Sequence, residues 1–259
     1  MSGNEYTLEQ YLFLSDVHIG AFGKDKNQLI EDDLIALIHH CYDENIHIVI
    51  LGDLFDYWME YPKYNFVPDI GRRVLEAFQK LNSKLGPSLF ITGNHDHWTF
   101  GHFKDRGFDV EHSHRVLSIN NQRVLLTHGD GTLNGAYNLK LPFLNKVLKN
   151  RLFTSLFQLF TTPQFGLSVM KRFSKTAKLR NIIDAHRLDN WAESCLTENE
   201  IDVIIAGDDH IPRLETLSYG TYINTGTFFD HRTVALYTNN EFKLVTWNAG
   251  KQLFSTYTP

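Results

Sequence analysis

Cysteine is almost missing from this chain: only Cys41 and Cys195 occur in 259 residues, both within helically spaced segments. That excludes a framework of bridges and a Cys-paired metal site, and makes a reducing cytoplasm the default. Long apolar runs are missing too, since no window approaches the roughly 18 uninterrupted apolar residues of a spanning helix. The first residues show no basic, apolar and small-residue succession of a secretory signal. The expectation is a cytoplasmic protein, soluble or held to a membrane only at its surface. Positive charge is in short supply, with 25 Lys and Arg against 30 Asp and Glu, a net charge of −5 and a pI near 6.2. A general nucleic-acid binder would show the opposite balance. Locally it is acid that is absent. Between Gly131 and Ile183 there are nine basic residues (Lys140, Lys146, Lys149, Arg151, Lys171, Arg172, Lys175, Lys178, Arg180), six of the 19 phenylalanines, and no Asp or Glu.

What is present suffices for one large domain over 1–259, with an insertion at about 133–182, since 42% apolar content fills an ordinary core. Short apolar runs closed by polar residues recur as YLFLSDVH (11–18), IHIVILGD (46–53), SLFITGNHD (88–96), RVLLTHGD (123–130) and IDVIIAGDDH (201–210). Runs rich in Ile, Val, Leu and Phe read as strands buried on both faces. Helical spacing lies between them, in Leu29, Leu34, Leu37, Ile38 and Cys41, then in Val74, Leu75, Phe78 and Leu81. Alternating strand and helix predicts an α/β core with largely parallel strands, whose ligands gather beyond the carboxyl ends of the strands. After residue 210 strands follow one another, at 222–226, 233–238 and 242–247, with Asn239-Asn240 as a hairpin signal, and a second, more antiparallel sheet is expected there.

The basic segment reads as short helices punctuated by Pro142 and Pro163. Leu144, Val147 and Leu148, then Leu152, Leu156, Leu159 and Phe160, recur at helical spacing. The stripe could face the core; paired with an acid-free basic face it could also meet an anionic amphiphile or membrane surface.

The polar ends of the five runs carry a donor set for metal. Hydrolytic divalent ions take carboxylate, imidazole and occasional amide oxygen, and two neighbouring ions need a shared ligand. Asp16 and His18, two residues apart, should grip one ion. Asp53 is the natural bridge, having two oxygens. Gly93 should let the chain turn so that Asn94 reaches inward, and His128 and His210 complete the set. Singly, each is an ordinary structural His or Gly-Asp turn; jointly, at five strand ends, they point to a metal pair.

Asp16-x-His18, Gly52-Asp53, Gly93-Asn94-His95-Asp96, Thr127-His128-Gly129-Asp130 and Gly207-Asp208-Asp209-His210 resemble the signature of the calcineurin-like metallophosphoesterase superfamily. The resemblance implies a four-layer αββα sandwich of two mixed sheets, here with a helical insertion as a lid. It also implies two divalent ions, Mn²⁺ first and Mg²⁺, Fe²⁺ or Zn²⁺ as alternatives. One would be held by Asp16, His18, Asp53 and His210, the other by Asp53, Asn94, His128 and Asp208. His95 would stabilise the transition state or protonate the leaving oxygen, oriented by Asp96. Asp208 departs from the usual pattern, which has His there, and leaves the cluster with about +1 charge instead of about +2.

The run Gly52-Asp53-Leu54-Phe55-Asp56-Tyr57-Trp58 and the basic-aromatic insertion resemble the branch that cleaves the diphosphate of UDP-2,3-diacylglucosamine in lipid A synthesis, giving UMP and 2,3-diacylglucosamine 1-phosphate at the cytoplasmic face of the inner membrane. Carried over, Asn134, Lys171, Ser174 and Lys178 would contact substrate. Members of that branch have Arg where this chain has His95, and often Asp at the place of Asn134. The alternatives are a phosphodiesterase or phosphatase for another lipid or nucleotide, and a non-catalytic binding module of the same fold.

Overall fold

The structure, a computed structural model, describes residues 9–132, 135–170 and 186–258, without the side chains of Leu144 and His186. Asn134, Lys171, Ser174 and Lys178 lie outside the described residues.

Among the described residues, twelve strands form two sheets. In the first, β1 (Gln10–Leu14), β2 (Ile46–Leu51), β3 (Ser88–Ile91) and β4 (Phe108–Glu111) run parallel, with Leu14 opposite Ile50 and Leu51 opposite Ile91. On the other side of β1 come β10 (Thr233–Thr238), β11 (Glu241–Asn248) and β12 (Leu253–Thr256), all antiparallel. The second sheet has the order β5 (His114–Ile119), β6 (Gln122–Thr127), β7 (Val203–Ala206), β9 (Gly220–Asn224), β8 (Arg213–Leu217). The strands after residue 210 are therefore divided. Two join the second sheet, whereas β10 to β12 return to the first, because Phe13 and Ala235 pair on the same buried ribbon. The hairpin signal holds, with Asn239 and Asn240 at φ 53° and 62°, the left-handed pair that a two-residue hairpin turn requires.

Period-two alternation explains the layers. Leu12, Leu14, Ile48 and Ile50 face the helices α1 (Lys24–Glu44) and α2 (Arg72–Leu85), while Phe13, Val49 and Leu51 face the second sheet through Val124, Leu126, Val203 and Ile205. From the far side of that sheet, Leu125, Ile204 and Tyr222 pack on a helix at His186–Glu198, through Leu188, Trp191, Ala192 and Cys195. The order is helix, sheet, sheet, helix, the αββα sandwich. α1 buries Ile30, Leu34, Leu37, Ile38 and Cys41 and ends at left-handed Asn45; Leu29, one position off that face, is 57% exposed and outside the core.

Short helices cross the body: α3 (His102–Asp105) after β3, and α4 (Phe143–Leu148), α5 (Arg151–Phe160) and α6 (163–170) in the insertion. The helix at His186–Glu198 is α7, and α8 spans Phe228–His231. The insertion rests on the body through Trp98, Met59 and Tyr61, which pack with Met170, Leu148, Phe153 and Phe157. Trp98 Nε1 donates to the Leu148 carbonyl at 2.8 Å and Gln158 to that of Glu60 at 2.6 Å. α5 buries Thr154 and turns Leu152, Leu156, Leu159 and Phe160 outward, so its apolar stripe does not face the core. Among the described residues, no helix is long and apolar enough to cross a membrane.

Candidate metal centre

The carboxyl ends of β1, β2 and β3 from one sheet and of β6 and β7 from the other meet at one edge of the sandwich. Asp16 and His18 lie past the end of β1, at φ 51° and 50°, and Asp53, Asp208 and His210 are left-handed as well, at 54°, 69° and 65°. Asp16 and His18 thus converge through two left-handed turns and not through the pleat of a strand. Asp tolerates this region better than most residues, His less so, and five such positions at one edge mark stored backbone strain.

Glycine makes room. A Cβ on Gly93 would fall 2.0 Å from Asp53 Oδ1 and 2.8 Å from the Asp53 nitrogen, one on Gly52 2.5 Å from His128 Nδ1, and one on Gly207 2.6 Å from Asp16 Oδ2. Gly93 therefore serves by close approach to Asp53, without a left-handed backbone, whereas Gly52 is left-handed, at φ 84°.

Asp16 Oδ2 accepts from the Ser15 hydroxyl and the Asp208 amide, leaving Oδ1 3.1 Å from His210 Nε2 and 3.6 Å from His18 Nε2. Asp53 Oδ1 accepts from the His95 amide at 3.0 Å, so its other oxygen is the one turned inward. Asp53 Oδ2 lies 3.6 Å from His18 Nε2, 3.6 Å from His128 Nε2 and 3.8 Å from His95 Nε2. Asp53 thus stands between the two groups of donors, with Oδ2 the oxygen nearest the three rings. On its far side Asn94 Oδ1 is 3.3 Å and Asp208 Oδ1 3.6 Å from His128 Nε2. His128 Nδ1 donates to the Leu51 carbonyl at 2.7 Å, which leaves a lone pair on Nε2 facing inward when the ring is neutral.

His95 and Asp96 part company here. The His95 ring hydrogen-bonds through Nδ1 to the Asp56 carbonyl, with the Asp56 carboxylate 3.7 Å away. Asp96 is fully buried and accepts from the backbone amides of Leu54 and Gly93, each at 2.8 Å. Burial pushes Asp96 up to about 7, raised further by Asp53 and opposed by those two donors. The expected orientation of His95 by Asp96 is replaced by Asp56, while Asp96 ties the loop after β2 to that after β3. Asp56 stands inside the Gly52–Trp58 run, so its place was readable but its role was not.

Arg187, at the start of α7, donates through Nη2 to Asp208 Oδ2 at 2.8 Å and to the Gly129 carbonyl at 2.9 Å. Nothing in the spacing of the motifs signals it. Lys149, one of the nine basic residues of the insertion, is buried and paired with buried Asp130, at 2.7 and 2.9 Å.

The electrostatics are those of a cation site. Burial alone would raise the Asp16 carboxyl, but His210 and His18 hold it well below the usual range, and Asp53 is lowered in the same way by its imidazole neighbours. Burial alone would lower His128, yet Asp53, Asp16 and Asp208 outweigh it and raise the ring to about 10. A proton is held where a multivalent cation would bind more strongly. His18 is the sharpest fit test: both ring nitrogens are buried without a hydrogen-bond partner, and Nε2 faces two carboxylate oxygens at 3.6 Å, an orphan that a metal would satisfy. Asp16, His18 and His210 form one compact group of donors, Asp16, Asp53 and His128 another.

Comparison with known proteins follows this geometry. UDP-2,3-diacylglucosamine hydrolase of Blochmanniella pennsylvanica is 26% identical over 216 residues, covering 80% of this chain and 81% of that protein. The protein of that name from Porphyromonas gingivalis is 28% identical over 218 residues, covering 77% and 82%. Among solved structures, Yfce, a phosphoesterase from E. coli, superposes with a TM-score of 0.46 at 15% identity, over 95% of this chain and 96% of that one. The family model described as calcineurin-like phosphoesterase matches residues 10–212. Since that match takes in all five strand ends from which the donors project, the chain belongs to the calcineurin-like phosphoesterase family and is a metal-dependent phosphoester hydrolase.

Proposed function

We propose that the substrate is UDP-2,3-diacylglucosamine, cut at its diphosphate to UMP and 2,3-diacylglucosamine 1-phosphate, a step of lipid A biosynthesis. The observation that carries this reading is the insertion: an acid-free, basic segment follows the His128 loop and holds Leu152, Leu156, Leu159 and Phe160 of α5 exposed. Each acyl CH₂ buried on such a surface contributes about 0.8 kcal/mol, and Lys and Arg match a diphosphate or anionic headgroups. The two relatives named above, both called UDP-2,3-diacylglucosamine hydrolase, support the same substrate. Asn134, Lys171, Ser174 and Lys178 are the proposed substrate contacts. The same surface would hold the protein peripherally at the cytoplasmic face of the inner membrane.

Asp16, His18, His210 and Asp53 would hold one divalent ion and Asp53, Asn94, His128 and Asp208 the second, with Mn²⁺ the first choice for a set rich in carboxylate and imidazole. Bound ions would lower the pKa of a water and offset charge growing on the phosphoryl oxygens. His95 keeps one proton on Nδ1 through the Asp56 carbonyl and presents Nε2 to the centre. Its Nε2 would pass a proton to the departing phosphate oxygen as the P–O bond breaks.

The test is incubation with UDP-2,3-diacylglucosamine and Mn²⁺, following UMP, beside bis(p-nitrophenyl) phosphate as a small diester. UMP release with saturation by the lipid supports the proposal. Turnover of the small diester alone would redirect it to another lipid or nucleotide ester, and turnover of neither would leave a binding module.

A further inference from the structure

Asp208 stands where the family pattern has a neutral imidazole, and a carboxylate differs from imidazole in two ways: it carries a full negative charge, and it can offer two donor atoms. Both differences meet Arg187. Its Nη2 sits 2.8 Å from Asp208 Oδ2, which leaves Oδ1 as the oxygen turned to His128 Nε2 at 3.6 Å. The same nitrogen donates to the Gly129 carbonyl at 2.9 Å, tying the guanidinium to the turn that carries His128. Both partners are placed by packed backbone. Leu188, next to Arg187, is fully buried, and a Cβ on Gly129 would lie 3.1 Å from that of Asp208 and 3.2 Å from Leu188 Cδ1. The Asp208 amide donates to Asp16 Oδ2 at 3.1 Å, so the Asp208 backbone is fixed against the site, while the Arg187 side chain reaches it from a half-exposed position, 40% accessible against 22% for Asp208.

We propose that Arg187 and Asp208 work as one unit, a neutral ligand with a single donor atom that substitutes for an imidazole, and that Arg187 is the positioning residue setting the charge and denticity of the second metal position. The inference rests on the two-ion reading above. Three carboxylates facing two dications leave about +1, and the guanidinium returns the total to about +2, the value that Asp16 and Asp53 with an imidazole in third place would give. Arginine suits the task because it stays charged at every working pH and its Nη2 carries two N–H groups, one for the carboxylate and one for the carbonyl oxygen.

The experiment uses the full chain stripped by a chelator and titrated with Mn²⁺ by calorimetry. It also records the metal-free Tm and the kcat and KM for bis(p-nitrophenyl) phosphate. Arg187→Met should tighten the second ion about tenfold, since a freed carboxylate regains its full charge and second oxygen. The same variant should lose about tenfold in kcat with KM little changed, while its metal-free Tm moves by no more than about 2 °C. Arg187→Lys should fall between Arg187→Met and the parent. Asp208→His should weaken the second ion about a hundredfold, because an unpaired guanidinium then faces a cation. Adding Arg187→Met to Asp208→His should recover both the second ion and kcat to within about threefold of the parent, a coupling opposite in sign to additive damage. Two results overturn the unit: a double variant no better than Asp208→His, or an Arg187→Met variant that lowers Tm while leaving second-ion affinity unchanged. A parent chain that takes up fewer than two Mn²⁺ overturns the two-ion reading itself, and is told apart by the stoichiometry.

Discussion

Asp16, His18, Asp53, Asp208 and His210 all hang from left-handed backbone, and each such position costs about 1–3 kcal/mol unless its surroundings impose it. Here the imposing element is glycine on the neighbouring turn. Gly93→Ala would drive a Cβ into Asp53, side chain and backbone both, so the expected result is loss of bound metal and of turnover together. Metal analysis and diester hydrolysis on the soluble fraction would check it, and an active, fully metallated variant would refute the close-approach argument. His95 calls for the opposite pattern. It touches Asp53 through its amide and presents only ring nitrogen to the centre, so His95→Ala should keep its metal and lose about 10²- to 10⁴-fold in kcat. Loss of metal in that variant would make His95 a ligand. At this scale the candidate donors were legible because they close apolar runs with residue types that bind cations. Their conformations were not legible, and neither was Arg187, because an ion pair between residues 21 positions apart leaves no periodic trace.

Strands and helices separate by how much of each is buried. The five runs read from the sequence are interior strands, apolar on both faces. The strands that escaped, β4, β5, β8 and β12, are the four edges of the two sheets, where one rim is wet and the sequence is half polar. In the insertion, spacing alone left the α5 stripe open between core and surface, since a helical period says nothing about which neighbour it meets. The structure gives the core-facing part to Phe153 and Phe157 against Trp98 and leaves Leu152, Leu156, Leu159 and Phe160 outside. Leu156→Ser with Phe160→Ser should therefore reduce sedimentation with anionic lipid vesicles severalfold and leave hydrolysis of a water-soluble diester unchanged; equal sedimentation would take α5 out of the membrane reading. Deleting the insertion would be a poorer test, because it uncovers Trp98, Met59 and Tyr61. Lys149 belongs to the same element and to the opposite class. Lys149→Met strands the buried Asp130 carboxylate and should cost about 3–5 kcal/mol in urea unfolding, against less than about 1 kcal/mol for an exposed lysine such as Lys140.

Over the whole molecule, the sandwich joins two sheets whose membership could not be read along the chain, because β10 pairs with β1 across more than two hundred residues and only the closed structure shows it. The union of body and insertion has a titratable reporter. His97 follows the β3 loop, its Nδ1 lies 3.1 Å from the Thr92 hydroxyl, and it lines one cavity together with Lys149 and Arg151 of the insertion. Burial, then the charges of Lys149 and His112, with Arg151 acting in the same direction, depress its pKa from 6.5 to about 2. The unfolded chain therefore binds a proton at His97 below pH 6.5 that the folded chain refuses. Linkage makes stability fall as pH drops from 6.5 toward the folded value and leaves no such slope above 6.5. At 1.4 kcal/mol per unit, the loss from this one ring between neutrality and about pH 5 is about 2 kcal/mol. His97→Gln, which can keep a polar partner for the Thr92 hydroxyl but cannot take up the proton, should show a correspondingly shallower decline. The measurement is urea unfolding of the metal-free chain at pH 7 and about pH 5, parent beside variant, so that the carboxylates and histidines common to both cancel. Parallel declines would mean that His97 is solvated in the folded chain and that the insertion does not close over it.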